Sequence, residues 1–125
     1  YAWYYIHIEP WKSFFGWWIY YPTTQNSQKI RQHIYDNFSE FKTIIEKKDF
    51  KKTFWWLRPY RENRKILSKT FDTNHPSWEY IIMKDRLVEK KLNDSDILDN
   101  KLKKLVIKYS KILYPLNNFL NKAFE

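Results

Sequence analysis

Glycine is almost absent from this sequence. Gly16 is the only glycine among 125 residues, whereas an ordinary usage of about 7% would give roughly nine. Because phosphate-cradling loops need several glycines, the chain has neither a P-loop nor a dinucleotide-binding GxGxxG motif. It also has no cysteine, which excludes disulfides, thiol nucleophiles and cysteine-ligated metal sites.

Apolar residues are nevertheless abundant, at 43% of the chain, and 21% of the residues are aromatic. A chain of this size and hydrophobicity is expected to form one folded domain over residues 1–125. The longest apolar stretch, residues 14–21, is much shorter than the roughly 20 residues of a membrane-spanning helix. No signal-peptide pattern precedes the first strand-like run. We therefore expect a cytoplasmic protein with no membrane partner.

Positive charge is concentrated in the middle of the chain. The formal net charge is +9, and residues 29–69 alone carry 12 basic and 5 acidic side chains. A basic segment of this kind attracts phosphates or an acidic partner. A lysine-rich solvated surface with no specific partner would give the same composition.

Two short runs near the start of the chain have strand character. Residues 3–9 and residues 14–21 are rich in aromatic and β-branched side chains, and a proline follows each run. A period of two places Tyr5, His7 and Glu9 on one face of the first strand. The short link between the two runs suits an antiparallel hairpin.

Helical spacing follows from Thr24. Apolar residues recur there every three or four positions, which predicts three short helices before residue 55. Turns are predicted over 57–77 with a short strand at 65–67, followed by a strand over 78–88 and a helix start at 93–96. The predicted apolar helix faces are Ile30, Ile34 and Phe38, then Phe41, Ile44 and Ile45, then Phe50 and Phe54.

The last part of the chain predicts a long amphipathic helix with an apolar stripe from Leu98 to Leu113. Pro115 lacks a backbone donor, so we expect it to break this helix and to begin another with Phe119 and Phe124 on its apolar face. The order of strands, helices, strand and helices predicts the α+β class. We expect a small, mostly antiparallel sheet packed with several helices, and a helical C-terminus.

The chemistry of a reaction is only weakly indicated. His7 and Glu9 share a strand face and could act as an acid–base or metal-binding pair. A metal would need a third ligand, and His33 and His75 are the other imidazoles, at separations that match no ligand spacing. No HExxH or GxSxG motif is present. A metal-dependent hydrolase using His7, Glu9 and His75 is therefore an alternative rather than the leading hypothesis, and we predict no cofactor.

A second alternative comes from the basic segment over residues 47–69. Its residues 55–65 interleave aromatic and basic side chains, in which arginines could bind phosphates while bases stack on tryptophan or tyrosine. A basic loop beside a buried aromatic cluster would have the same pattern. The predicted nucleic-acid contacts are Arg58, Arg61, Arg64 and Lys65.

Several motifs, taken together, resemble a widespread bacterial family of uncharacterised proteins, domain of unknown function 2461. The run 4–10, YYIHIEP, is similar to the family's YYxHIEP strand, and the motifs occur in the family's order along nearly the whole chain. The other matching positions are Ile30-Arg31, Phe71-Asp72 with His75-Pro76, Lys84, and the run 114–120, YPLNNFL.

The resemblance implies an α+β fold and no established activity, substrate or cofactor. It also implies that this chain corresponds to the C-terminal part of a longer family domain. The chain departs from the family where glycine is usual, near Trp3, at Trp11 and in a triple-glycine run matched here by Gly16-Trp17-Trp18. Because glycine accepts positive φ and close backbone approach, these turns are where the chain is expected to differ most from the family.

The leading hypothesis is therefore a non-enzymatic binding domain. Its predicted ligand-binding residues are the polar positions that match family motifs: His7, Glu9, Arg31, His75 and Lys84. The sequence does not identify the partner; an anionic ligand and a nucleic acid are the two candidates, and no metal site is predicted.

Overall fold

The computed structural model describes residues 3–19, 23–54, 71–83, 86–98 and 100–125. The short strand predicted at 65–67 lies outside these residues. Within them, six helices and a three-stranded sheet form an α+β fold with a helical C-terminus, so the predicted class is confirmed.

The sheet consists of β1 (Trp3–His7), β2 (Phe14–Ile19) and β3 (Arg86–Lys91). The strand order is β1-β2-β3 and both pairings are antiparallel. The predicted hairpin is therefore confirmed, with β2 as the central strand. Local alternation of aromatic and β-branched residues was enough to predict it, because neighbouring strands joined by a short turn need no distant partner to define them.

Gly16 lies at the centre of β2, opposite Tyr5 on one side and Glu89 on the other. A Cβ placed on Gly16 would lie 3.0 Å from the backbone oxygen of Val88. This oxygen belongs to the adjacent strand, so it cannot move as the end of a flexible side chain would. The one glycine of the chain therefore allows a close approach of β2 and β3.

The helices are α1 (Thr24–Asp36), α2 (Phe38–Ile45), α3 (Lys48–Phe54), α4 (Trp78–Ile81), α5 (Asp94–Ile97) and α6 (Lys101–Asn121), followed by a 3₁₀ turn (Lys122–Phe124). Helix α1 begins where the Thr23 side chain accepts a hydrogen bond from the backbone N–H of Asn26. Helix α5 begins where Asp96 accepts one from the N–H of Asn93. Such caps satisfy backbone donors that a helix start leaves unpaired.

One face of the sheet packs against the helices. Phe15, Trp17 and Val88 share this face and are fully buried. The ring of Phe15 lies 5.8 Å from that of Tyr109 in α6. The indole N–H of Trp17 donates a 2.9 Å hydrogen bond to Oδ1 of Asn117. Burial of each large apolar side chain contributes about 1.5–3 kcal/mol, so this contact between β2 and α6 is central to the fold.

The strand predicted over 78–88 is wrong in its first half. Residues 78–81 form the helical turn α4, and the strand begins only at Arg86 and continues to Lys91. The side chain of Arg31 donates to the carbonyl oxygens of Ile81 and Met83. Oxygens bound in this way are not available to a strand ladder, so a tertiary contact overrides the local β propensity.

The helix break predicted at Pro115 is also wrong, because α6 continues through Pro115 to Asn121. Proline costs a helix interior about 3 kcal/mol. Leu113, Leu116 and Phe119 are buried on both sides of the proline, and their packing offsets this cost. The beginning of the stripe is wrong as well, since Leu98 is exposed between α5 and α6.

In the described part of the chain, no helix combines the length and the hydrophobicity that a membrane crossing requires.

Candidate functional site

His7 and Glu9 are brought together near the end of β1. Nε2 of His7 lies 2.9 Å from Oε2 of Glu9, and both side chains are partly exposed to solvent. The His7 ring stacks on Phe14 with 5.1 Å between ring centroids. An exposed side-chain contact of this kind contributes at most about 1 kcal/mol. A ligand-binding role for this pair stays a prediction.

His75 lies in a different environment from this pair. The centroid of its ring lies 4.2 Å from that of Tyr35 and 5.9 Å from that of Phe38, which it contacts edge-on. Within the residues described, no group of three or more histidine, aspartate or glutamate side chains could hold a metal ion. A joint role for His7, Glu9 and His75 stays a prediction.

Arg31 and His75 flank α4 at its two ends. Arg31 is 2% exposed, and its Nε donates to the carbonyl oxygen of Ile81 at 2.8 Å. At the other end, the carbonyl oxygen of His75 accepts a 3.0 Å bond from the N–H of Trp78. Nδ1 of His75 accepts from the N–H of Ser77 at 3.2 Å.

Four of the five predicted ligand-binding residues lie in two separate groups. His7 and Glu9 form one, Arg31 and His75 the other, and the contacts described here do not connect them. Lys84 lies outside the described residues. Convergence of all five on one ligand stays a prediction.

Arg86 is a buried cation that the sequence reasoning missed. It is 0% exposed, and its Nη2 donates to the carbonyl oxygen of Tyr80 at 2.9 Å. Arg31 and Arg86 therefore bind successive carbonyls at the end of α4. No motif marked Arg86, and its position as a charged residue at the start of β3, following Lys84 and Asp85 in sequence, was the one signal that could have indicated it.

Exposed lysines are frequent just before and within α3 and within α6. The predicted nucleic-acid segment 47–69 is described as far as Phe54, and Arg58, Arg61, Arg64 and Lys65 lie outside the described residues. The ring of Phe54 in α3 packs edge-on against Tyr109 in α6, at 6.0 Å, so the two helices adjoin. Nine exposed lysines lie in residues 47–54 and in α6, and we call this set the lysine face: Lys47, Lys48, Lys51, Lys52, Lys101, Lys103, Lys104, Lys108 and Lys111.

The lysine face contains little negative charge. Asp49 is the only acidic residue in 47–54, and residues 101–121 contain none. Within the part of the chain that the structure describes, none of these lysines forms an ion pair. Their ammonium groups are therefore available to an anionic partner.

The groove between the α1–α2 junction and α6 has a different character. It has a volume of about 730 Å³ and is lined by Asp36 and Glu40, with Pro115 and Phe119 on the α6 side. No basic residue lines it. An anion is repelled there, so the lysine face and this groove are chemically distinct.

The β1–β2 turn contains the backbone feature that the family pattern pointed to. Trp11 has φ 66°, in the left-handed region that glycine occupies at little cost. Its side chain is 81% exposed. Trp11 therefore adopts a backbone conformation that favours glycine, and its side chain is exposed to solvent.

Comparisons with known proteins give one family and no closer relative. No curated protein and no solved structure matches the chain. A family model described as a conserved hypothetical protein, DUF2461, matches residues 1–119. The motif at residues 4–10 lies on β1 and its turn, and the closing motif at 114–120 lies on α6, so the matched region spans the fold described above. The chain belongs to the uncharacterised DUF2461 family.

Proposed function

We propose that this chain is a nucleic-acid-binding domain that contacts phosphates through its lysine face and carries out no reaction. The observation that supports this best is the set of nine exposed lysines in residues 47–54 and in α6, where α3 adjoins α6. Only Asp49 offsets their charge within these helices.

Phosphate binding follows from the physical chemistry of such a surface. Each lysine that neutralises a phosphate releases a condensed counterion, which makes the binding favourable and strongly salt-dependent. Because α3 and α6 are fixed by packing of Phe54 on Tyr109, the charges are held on a rigid support. The ordering cost on binding is then limited to the lysine side chains.

Further basic residues follow α3 in the sequence. Residues 55–69 follow α3 directly and contain Arg58, Arg61, Arg64 and Lys65. Arginine binds phosphate with two parallel N–H donors. We propose that these residues bind the same nucleic acid as the lysine face.

An anionic membrane is the competing partner for a basic helix. A helix that binds at a membrane surface inserts its apolar face among the lipids. The apolar face of α6 is buried in the protein core, at Tyr109, Leu113 and Leu116. A nucleic acid, which needs only the charged face, therefore fits α6 better, and it also fits the cytoplasmic location predicted from the sequence.

The test compares two doubly substituted variants with the same loss of charge. In K104Q/K108Q both substitutions lie on the lysine face, one helical turn apart. In K29Q/K42Q both remove exposed lysines from α1 and α2. Glutamine has nearly the helix propensity of lysine, so both variants should fold. Fluorescence anisotropy with a labelled oligonucleotide at low salt measures the affinity.

We expect K104Q/K108Q to bind the oligonucleotide several times more weakly than the wild type, and K29Q/K42Q to bind it nearly as well. Equal losses in the two variants would mean that net charge alone drives binding, which would contradict the assignment to the lysine face. Binding to phosphatidylserine vesicles without binding to the oligonucleotide would favour a membrane instead.

A further inference from the structure

Trp11 occupies a position where its side chain contributes little to the folded core. Its indole is 81% exposed, although tryptophan buries more apolar area than most side chains when it is placed in a core. Its φ of 66° costs an L-residue about 1–2 kcal/mol. The side chain is thus exposed to solvent, while the backbone of Trp11 adopts a conformation that is unfavourable for an L-residue.

Hydrogen bonds hold the turn in this conformation. The N–H of Lys12 donates to the carbonyl oxygen of Glu9 at 3.0 Å. Oγ of Ser13 lies 2.9 Å from both the N and the O of Glu9. The N–H of Trp11 itself donates to Oδ1 of Asp94 at 3.0 Å. Strained residues persist where the surroundings fix them in this way, and they are concentrated at functional sites.

A groove of about 230 Å³ lies beside the indole. Phe14 forms part of its wall, and the lysines Lys12 and Lys91 line it together with Glu89. Its volume is below the range of about 300–1,000 Å³ found for pockets that enclose drug-sized ligands. An open groove of this size suits a single planar ring with a negatively charged group beside it.

The turn is also linked to the lysine face. Asp94, which binds the N–H of Trp11, is the first residue of α5. Helix α5 leads within a few residues to Lys101, the first residue of α6, and packs on that helix. Asp94 therefore connects the turn to a helix that packs on α6.

We propose that Trp11 is a stacking platform for an unpaired nucleobase, so that the ligand of the lysine face is single-stranded nucleic acid. This inference rests on the function proposed above. In a duplex the bases already stack on each other, whereas a single strand exposes its base faces to aromatic side chains. Lys12 and Lys91 would bind the phosphates on either side of the stacked base.

The experiment compares the W11G and W11F variants with the wild-type chain. Glycine accepts φ 66° without strain, so W11G should fold, and W11F keeps an aromatic ring. Each protein is titrated into a labelled oligothymidine and into a duplex of the same length. We expect W11G to bind oligothymidine about tenfold more weakly, with duplex affinity unchanged, and W11F to retain most of the wild-type affinity for oligothymidine.

Each other outcome has a definite meaning. If W11G binds oligothymidine as tightly as the wild type, while K104Q/K108Q binds it weakly, then Trp11 is not a stacking platform. The proposed function of the lysine face would still hold. If W11G loses affinity for oligothymidine and duplex equally, the preference for single strands is wrong. If the wild-type chain binds neither nucleic acid at low salt, both the proposed function and this inference fail.

Discussion

The backbone N–H of Trp11 donates a 3.0 Å hydrogen bond to Oδ1 of Asp94. This bond ties the β1–β2 turn to the first residue of α5, across a large separation in sequence. It also holds a non-glycine residue at positive φ. The turn is therefore fixed by tertiary contacts and does not depend on the conformational preference of its own residues.

Replacing Trp11 by glycine should stabilise the fold. Glycine removes the penalty of the left-handed conformation, and little buried area is lost because the indole is exposed. We expect the W11G free energy of unfolding to rise by about 1 kcal/mol in urea denaturation. W11A keeps a Cβ and should show no such rise; an equal gain in W11A would mean that backbone strain is not the cause.

Replacing Gly16 by alanine should have the opposite effect. The new Cβ would lie 3.0 Å from the backbone oxygen of Val88, which forces β2 and β3 apart. We expect G16A to lose about 2 kcal/mol of unfolding free energy. The control is K91A, an exposed position on β3, which should change stability by less than about 0.5 kcal/mol. If G16A had the same urea midpoint of unfolding as the wild type, this would contradict the close approach of β2 and β3.

Removing the guanidinium of Arg31 should destabilise the protein strongly. R31M leaves the buried carbonyl oxygen of Ile81 without the 2.8 Å hydrogen bond that Arg31 provides. Unsatisfied buried acceptors cost about 1–3 kcal/mol each, so we expect a loss of about 3 kcal/mol. K29M, at an exposed position of the same helix, is the matched control. Similar stabilities for the two variants would show that Arg31 does not hold α4 in place.

Tyr80 should ionise at a higher pH than an ordinary tyrosine. Burial raises its pKa to about 12, and the neighbouring carboxylate of Glu79 adds to the shift. Because the neutral phenol is favoured in the fold, the stabilisation is present below the unfolded pKa of about 10 and is lost as pH rises toward 12.

The ultraviolet phenolate titration of wild type and Y80F measures this directly. The difference between the two curves should contain one phenol that ionises near pH 12. A difference curve centred near pH 10, the ordinary value for tyrosine, would show that Tyr80 is not shielded from water.

Local patterns predicted the parts of the fold that depend on neighbouring residues. The hairpin from Trp3 to Ile19 and the helix containing Ile30 and Ile34 are examples. Alternation of side chains indicates a strand, and apolar residues four apart indicate a helix. The resemblance at residues 4–10 and 114–120 likewise led to the family that the comparison shows. The basic segment over residues 47–69 was recognised from its charge alone.

Features set by distant contacts could not be predicted in the same way. Helix α4 replaces a predicted strand because Arg31, far away in sequence, takes the Ile81 oxygen. Pro115 remains inside α6 because core packing on both sides offsets its cost. Trp17 is buried in the core, and its indole N–H donates to Asn117, which no local pattern indicates.

The salt dependence of oligothymidine binding is the most direct test of the central claim. For the wild-type chain, the logarithm of affinity should fall linearly with the logarithm of salt concentration, because lysines displace counterions from the phosphates. In K104Q/K108Q the slope should be smaller by about 1.4, at about 0.7 per lost contact, and in K29Q/K42Q it should match the wild type. An affinity that does not vary with salt, or no binding at low salt, would contradict the account.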